Sequence, residues 1–76
     1  MSPKLPVVSG RDLVKALRRL GFEPVRQRGS HVSMRKASPE GDRHTVVPLH
    51  STLAKGTLSD ILRQTGIDRE TLLGTL

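Results

Sequence analysis

A chain of 76 residues without cysteine makes one domain, residues 1–76, excludes disulfides and Cys-based zinc sites, and leaves little material for a deep substrate cleft. No apolar run approaches the roughly 20 residues of a membrane span and no signal-like segment opens the chain, so a soluble, cytoplasmic protein is expected. Thirteen basic against seven acidic side chains give a net +6, while the lone aromatic, Phe22, excludes a binder that stacks several bases on rings.

The opening, residues 1–6, is proline-spaced and reads as extended. Ser9 then suits a helix N-cap, with Asp12 three residues on where a first-turn carboxylate belongs. Leu13, Val14, Leu17 and Leu20 recur at helical spacing, and Gly21 is the expected stop. Two extended runs follow, Phe22 to Arg28 and His31 to Lys36, joined by Gly29-Ser30. A glycine followed by a small residue suits a two-residue hairpin of type II′. Such a turn sets Arg28 opposite His31 and Arg26 opposite Ser33. Strand alternation then places Arg26, Arg28, His31, Ser33 and Arg35 on one face, with Val25, Gln27, Val32 and Met34 on the other. Pro24 argues for an edge position or a bulge in the first strand.

Residues 37–43 read as a polar turn and His44 to Val47 as a third strand stopped by Pro48. After a loop from Leu49 to Gly56, Thr57 is the expected cap of a helix carrying Leu58, Ile61 and Leu62 and ended by Gly66. Asp68 begins a last helical segment through Leu72, Leu73 and Leu76. The order is α-β-β-β-α with a helical tail. This predicts an α+β fold with a three-stranded antiparallel sheet and helices on one face.

Charge and histidine converge on the hairpin. Residues 1–36 hold nine basic and two acidic side chains, residues 37–76 four basic and five acidic, so the whole excess lies in the first half. That is the footprint of a phosphate-binding face; the competing reading is a merely soluble basic surface. RNA can be cut without a metal when its 2′-OH attacks the adjacent phosphorus. The protein must then remove one proton, donate another and stabilise the added negative charge. A histidine, with an unperturbed pKa near 6.5, can do either proton transfer at neutral pH. His31 is the candidate catalyst. Arg26, Arg28, Arg35 and Lys36 are candidates to bind phosphate and stabilise the transition state, with Gly29, Ser30 and Ser33 beside them. One histidine cannot be base and acid in a single concerted step; water, an arginine-polarised group or another histidine must take the second role, and a slow enzyme is expected. His50 follows the third strand and is a further candidate contact, against the reading of a loop histidine bonded to backbone. His44 reads as solvated. Three histidines without cysteine or a carboxylate pair match no metal-ligand spacing, so neither metal nor other cofactor is expected.

The segment Leu58 to Leu73 has the rhythm of a DNA-reading helix-turn-helix, but two arginines against three acids leave it negative where phosphates would sit. It reads better as core and partner surface.

With these residues assembled, the chain resembles the HicA family of toxins. The resemblance rests on Pro6-Val7-Val8-Ser9-Gly10, Leu20-Gly21-Phe22, Arg26-Gln27-Arg28-Gly29-Ser30-His31 and Val47-Pro48-Leu49-His50. It continues through Lys55-Gly56-Thr57-Leu58 and Ile61-Leu62-Arg63-Gln64-Thr65-Gly66-Ile67. It implies a double-stranded-RNA-binding-like fold, and a metal-independent endoribonuclease of a type II toxin–antitoxin pair that cleaves mRNA and arrests translation. It also implies that His31 is the catalytic histidine and that a HicB-type antitoxin covers the site. Glu40 and Asp42, in a connection somewhat long for that family, bear on where RNA lies. A non-catalytic RNA-binding module is the alternative.

Overall fold

In the computed structural model, which describes residues 4–76, the elements run α1 (Gly10–Arg19), β1 (Glu23–Arg28), β2 (His31–Lys36), β3 (Arg43–Pro48), α2 (Lys55–Thr65) and α3 (Arg69–Thr75). The α+β order is the one expected. Of the extended opening, residues 1–3 lie outside the described residues, and residues 4–6 carry no regular structure.

Helix α1 is closed at both ends by its own sequence. The Ser9 hydroxyl accepts the Asp12 N–H at 3.1 Å, satisfying one of the donors that a helix start leaves open. At the other end the Phe22 N–H reaches the Leu17 carbonyl (2.9 Å) and the Gly21 N–H the Arg18 carbonyl (3.1 Å). That pair of bonds is a Schellman stop. It turns the chain so that Phe22 enters the core instead of beginning the strand.

The strands form an antiparallel meander in the order β1-β2-β3. Arg28 pairs with His31 and Arg26 with Ser33, as the hairpin predicts. Pro24 pairs with Met34, so Val25 is the extra residue of a bulge. Proline has no N–H to give a ladder, and the bulge and edge position accommodate it. One expectation fails here. Val25 does not face the helices but is 54% exposed, and every residue of β1 is exposed. The buried face belongs to the other two strands, through Val32, Met34, Thr45 and Val47.

Helices α1 and α2 pack on that face. Leu13, Ala16, Leu17, Leu58, Ile61 and Leu62 join the strand residues, Val8, Phe22, Leu53 and Leu72 in one core. The Thr45 hydroxyl donates to Gln64 Oε1 at 2.8 Å, which ties β3 to α2. Helix α2 starts two residues before the expected cap. Ala54 is its N-cap without a side-chain bond, and Thr57 lies inside the first turn. The Leu53 N–H bonds the Val8 carbonyl at 2.9 Å, and this tertiary anchor sets the start in place of a local cap. Asp68 does cap α3, accepting the Thr71 N–H at 2.7 Å, but of the three leucines expected on this segment only Leu72 is buried, while Leu73 and the C-cap Leu76 are exposed.

Candidate functional site

Gly29 takes φ +55° while Ser30 stays negative, the φ signs of a type II′ turn, so the chain reverses within two residues. Residues 23–31 are exposed throughout, which makes His31 part of a projecting edge and not of a pocket. On the outer face Arg28 stands across from His31, and Arg26 across from half-buried Ser33. Both arginines present their guanidinium groups to solvent, where a phosphate can accept two parallel bonds from either.

Of the expected cationic face, the half nearest the turn has no acidic partner among the described residues, while the other half does. Arg35 donates to Asp42 through Nε at 2.7 Å and pairs with it through Nη2 at 2.6 Å. Glu23 sits opposite Arg35 in the ladder, so this end of the face is close to neutral. Lys36 is not on the face. It follows the parity of Val32 and Met34, and its ammonium donates to the Leu20 carbonyl at 2.8 Å and lies 5.8 Å from the centre of the Phe22 ring. There it satisfies a carbonyl at the end of α1, where the helix dipole favours a cation. Five of the nine basic residues of the first half lie elsewhere again: Lys4 before α1, and Arg11, Lys15, Arg18 and Arg19 on or along it.

His50 does come to the turn. Its ring centre lies 6.4 Å from that of His31, edge to face at 76°. Two backbone bonds bring this about. The Leu49 N–H donates to the Ser30 carbonyl at 2.6 Å, tying the loop after β3 to the turn residue beside His31. The Gly10 N–H donates to the His50 carbonyl at 2.9 Å, seating the same loop on the first residue of α1. A Cβ on Gly10 would lie 2.8 Å from Leu49 Cα and closer still to the Pro48 carbonyl oxygen. Only a glycine allows this approach.

Gly10 is thus a positioning residue that reading the sequence as a helix start passes over. A signal was present. A glycine inside a helical pattern forgoes helix propensity, and one placed there points to a close backbone contact. His44, opposite Arg35, is exposed near the neutral end, away from the turn. Among the described residues, no group of three or more His, Cys, Asp or Glu side chains converges on a possible metal position. No described helix is long and apolar enough to cross a membrane.

The family described as HicA toxin of bacterial toxin-antitoxin matches residues 10–67, from the first residue of α1 to just beyond the end of α2. The match takes in the hairpin, its arginines and both histidines of the turn. No curated protein matches the chain.

Proposed function

Because this chain belongs to the HicA toxin family of bacterial toxin–antitoxin systems, we propose that it acts as an endoribonuclease on mRNA, with His31 in acid–base catalysis. The observation that carries this reading is the exposed His31 at the tip of a hairpin, with Arg28 across the ladder and Arg26 two pairs further on, on the same face. An exposed edge suits a polymer that runs past it, and a phosphodiester seated on the two guanidinium groups meets the imidazole.

The chemistry follows from that contact. The 2′-oxygen attacks phosphorus, an imidazole moves a proton, and the arginines stabilise the charge that gathers on the phosphoryl oxygens. Gly29 leaves the first turn position without a side chain, and Ser30 and Ser33 offer hydroxyls on either side of His31. Arg35 contributes less than the sequence implies, because Asp42 holds it; Lys36 serves α1 instead. The partner that neutralises the toxin is a HicB-type antitoxin covering this edge.

The test is cleavage of a labelled mixed-sequence RNA. Wild-type protein is expected to cut it, in EDTA as well as without it. His31→Ala should lose about 10²-fold or more in rate while RNA binding largely survives. Equal rates for the two proteins would remove His31 from the chemistry, and complete loss in EDTA would call for a metal. Intact RNA held by the wild type in a salt-sensitive complex would make the protein a binder without catalysis.

A further inference from the structure

A single imidazole cannot take the 2′-proton and supply the leaving group's proton in one concerted step. We infer that His50 is the second proton-transfer group, so that His31 and His50 divide base and acid between them. The inference rests on the ribonuclease reading and deepens it.

Three observations carry it. The rings stand 6.4 Å apart, edge to face. That is too far for a hydrogen bond between them, yet close enough for one phosphodiester to touch both, since each group must come within about 3 Å of the oxygen it serves. Both residues are exposed, so a polyanion can reach either ring. And His50 is not on a freely moving loop. Its carbonyl is fixed by the Gly10 N–H, and the residue before it, Leu49, donates its N–H to the carbonyl of Ser30, the neighbour of His31. The backbone at position 10 lacks a side chain where one would push the loop away.

The step balances with these two groups alone. The neutral imidazole takes the proton of the 2′-OH as the O2′–P bond forms. The protonated imidazole gives its proton to the 5′-oxygen as the P–O5′ bond breaks. The products are a 2′,3′-cyclic phosphate and a 5′-hydroxyl, and the two imidazoles, their charges exchanged, reset with solvent. Arg26 and Arg28 supply the positive charge that neither imidazole retains throughout.

The experiment compares wild type, His31→Ala and His50→Gln on a mapped cleavage site, under single turnover. It uses two RNAs, one natural and one with sulfur in place of the 5′-bridging oxygen. A thiolate leaves without needing an acid. His50→Gln keeps the backbone bond from Gly10, and an unchanged thermal melt establishes that it is folded. On natural RNA both variants should be slower by about 10²-fold or more. On the sulfur-containing RNA, one of the two should recover most of the wild-type rate, which identifies the acid, and the other should stay slow. A folded His50→Gln that cuts natural RNA at the wild-type rate overturns the inference and leaves His31 standing. So does a sulfur-containing RNA that rescues neither variant. If the wild type cuts neither RNA, it is the ribonuclease reading itself that fails.

Discussion

At position 10, a missing methyl group decides where a histidine forty residues later can sit. The Gly10 N–H holds the His50 carbonyl, and the space a Cβ would need is taken by the backbone of Pro48 and Leu49. Gly10→Ala is therefore expected to lower stability by about 1–3 kcal/mol, because backbone must move to admit the atom. It should also slow RNA cleavage beyond what the loss of folded protein accounts for, since the shift falls on the loop that carries His50. Denaturant melts and cleavage rates, measured under conditions where both proteins are fully folded, separate the two effects. A variant with wild-type stability and rate would show that the approach is looser than described. At this scale the sequence was legible where chemistry is local. Gly29-Ser30 named its own turn, and Ser9 its own cap. Lys36 and Arg35 were legible as charges but not as occupied ones, because their partners, the Leu20 carbonyl and Asp42, are set by the fold.

The elements show the same division. Helix α1 was readable at both ends because its cap and stop are built from adjacent residues. Helix α2 was not readable at its start, since Leu53 is held by Val8 from the other end of the chain and no side chain marks the cap. Turn chemistry predicts the register of β1, but alternation alone predicts a buried inner face; the bulge at Val25 and the edge position leave it exposed. Proline, a bulge and two arginines also make β1 a poor template for pairing with another chain.

Helix α3 yields a pH prediction. The hydrogen bond from the Thr71 N–H, and next one from its side chain, hold the Asp68 carboxyl below the usual carboxylate range. A carboxylate with a depressed folded pKa stabilises the fold above its unfolded value, near 3.9, and loses that contribution as pH falls through the folded one. Below about pH 4 the Thr71 amide should accordingly exchange faster with solvent, relative to core amides, than at pH 6. In Asp68→Asn that added loss should vanish, because an amide oxygen accepts the same bond without titrating. Persistence of the acid effect in the variant would assign it to another group.

Over the whole molecule, the excess charge of the first half is spread more widely than a count suggests. Arg19 donates to the Thr75 carbonyl at 2.8 Å and joins α1 to α3, whereas Arg28 stands on the hairpin beside His31. Arg28→Ala should therefore weaken RNA binding and reduce its salt slope by about one. Arg19→Ala should leave the slope unchanged and loosen α3. Titrations of labelled RNA at several salt concentrations decide this, and equal slopes for the two variants would place the RNA on both surfaces. The layered α+β fold was legible because alternation in β2 and β3 and helical spacing in α1 and α2 agree with it, and tertiary bonds decided how the loops lie against it. Those bonds have a bearing on synthesis. The hairpin closes with residues 23 to 36, but the histidine pair needs residues 10, 30 and 50 together. Because chains are made from the N-terminus, a ribosome-bound intermediate carries His31 and its arginines before it carries their companion. On the reading proposed above, synthesis supplies the arginines that hold RNA before it supplies the second group that the proton transfers need.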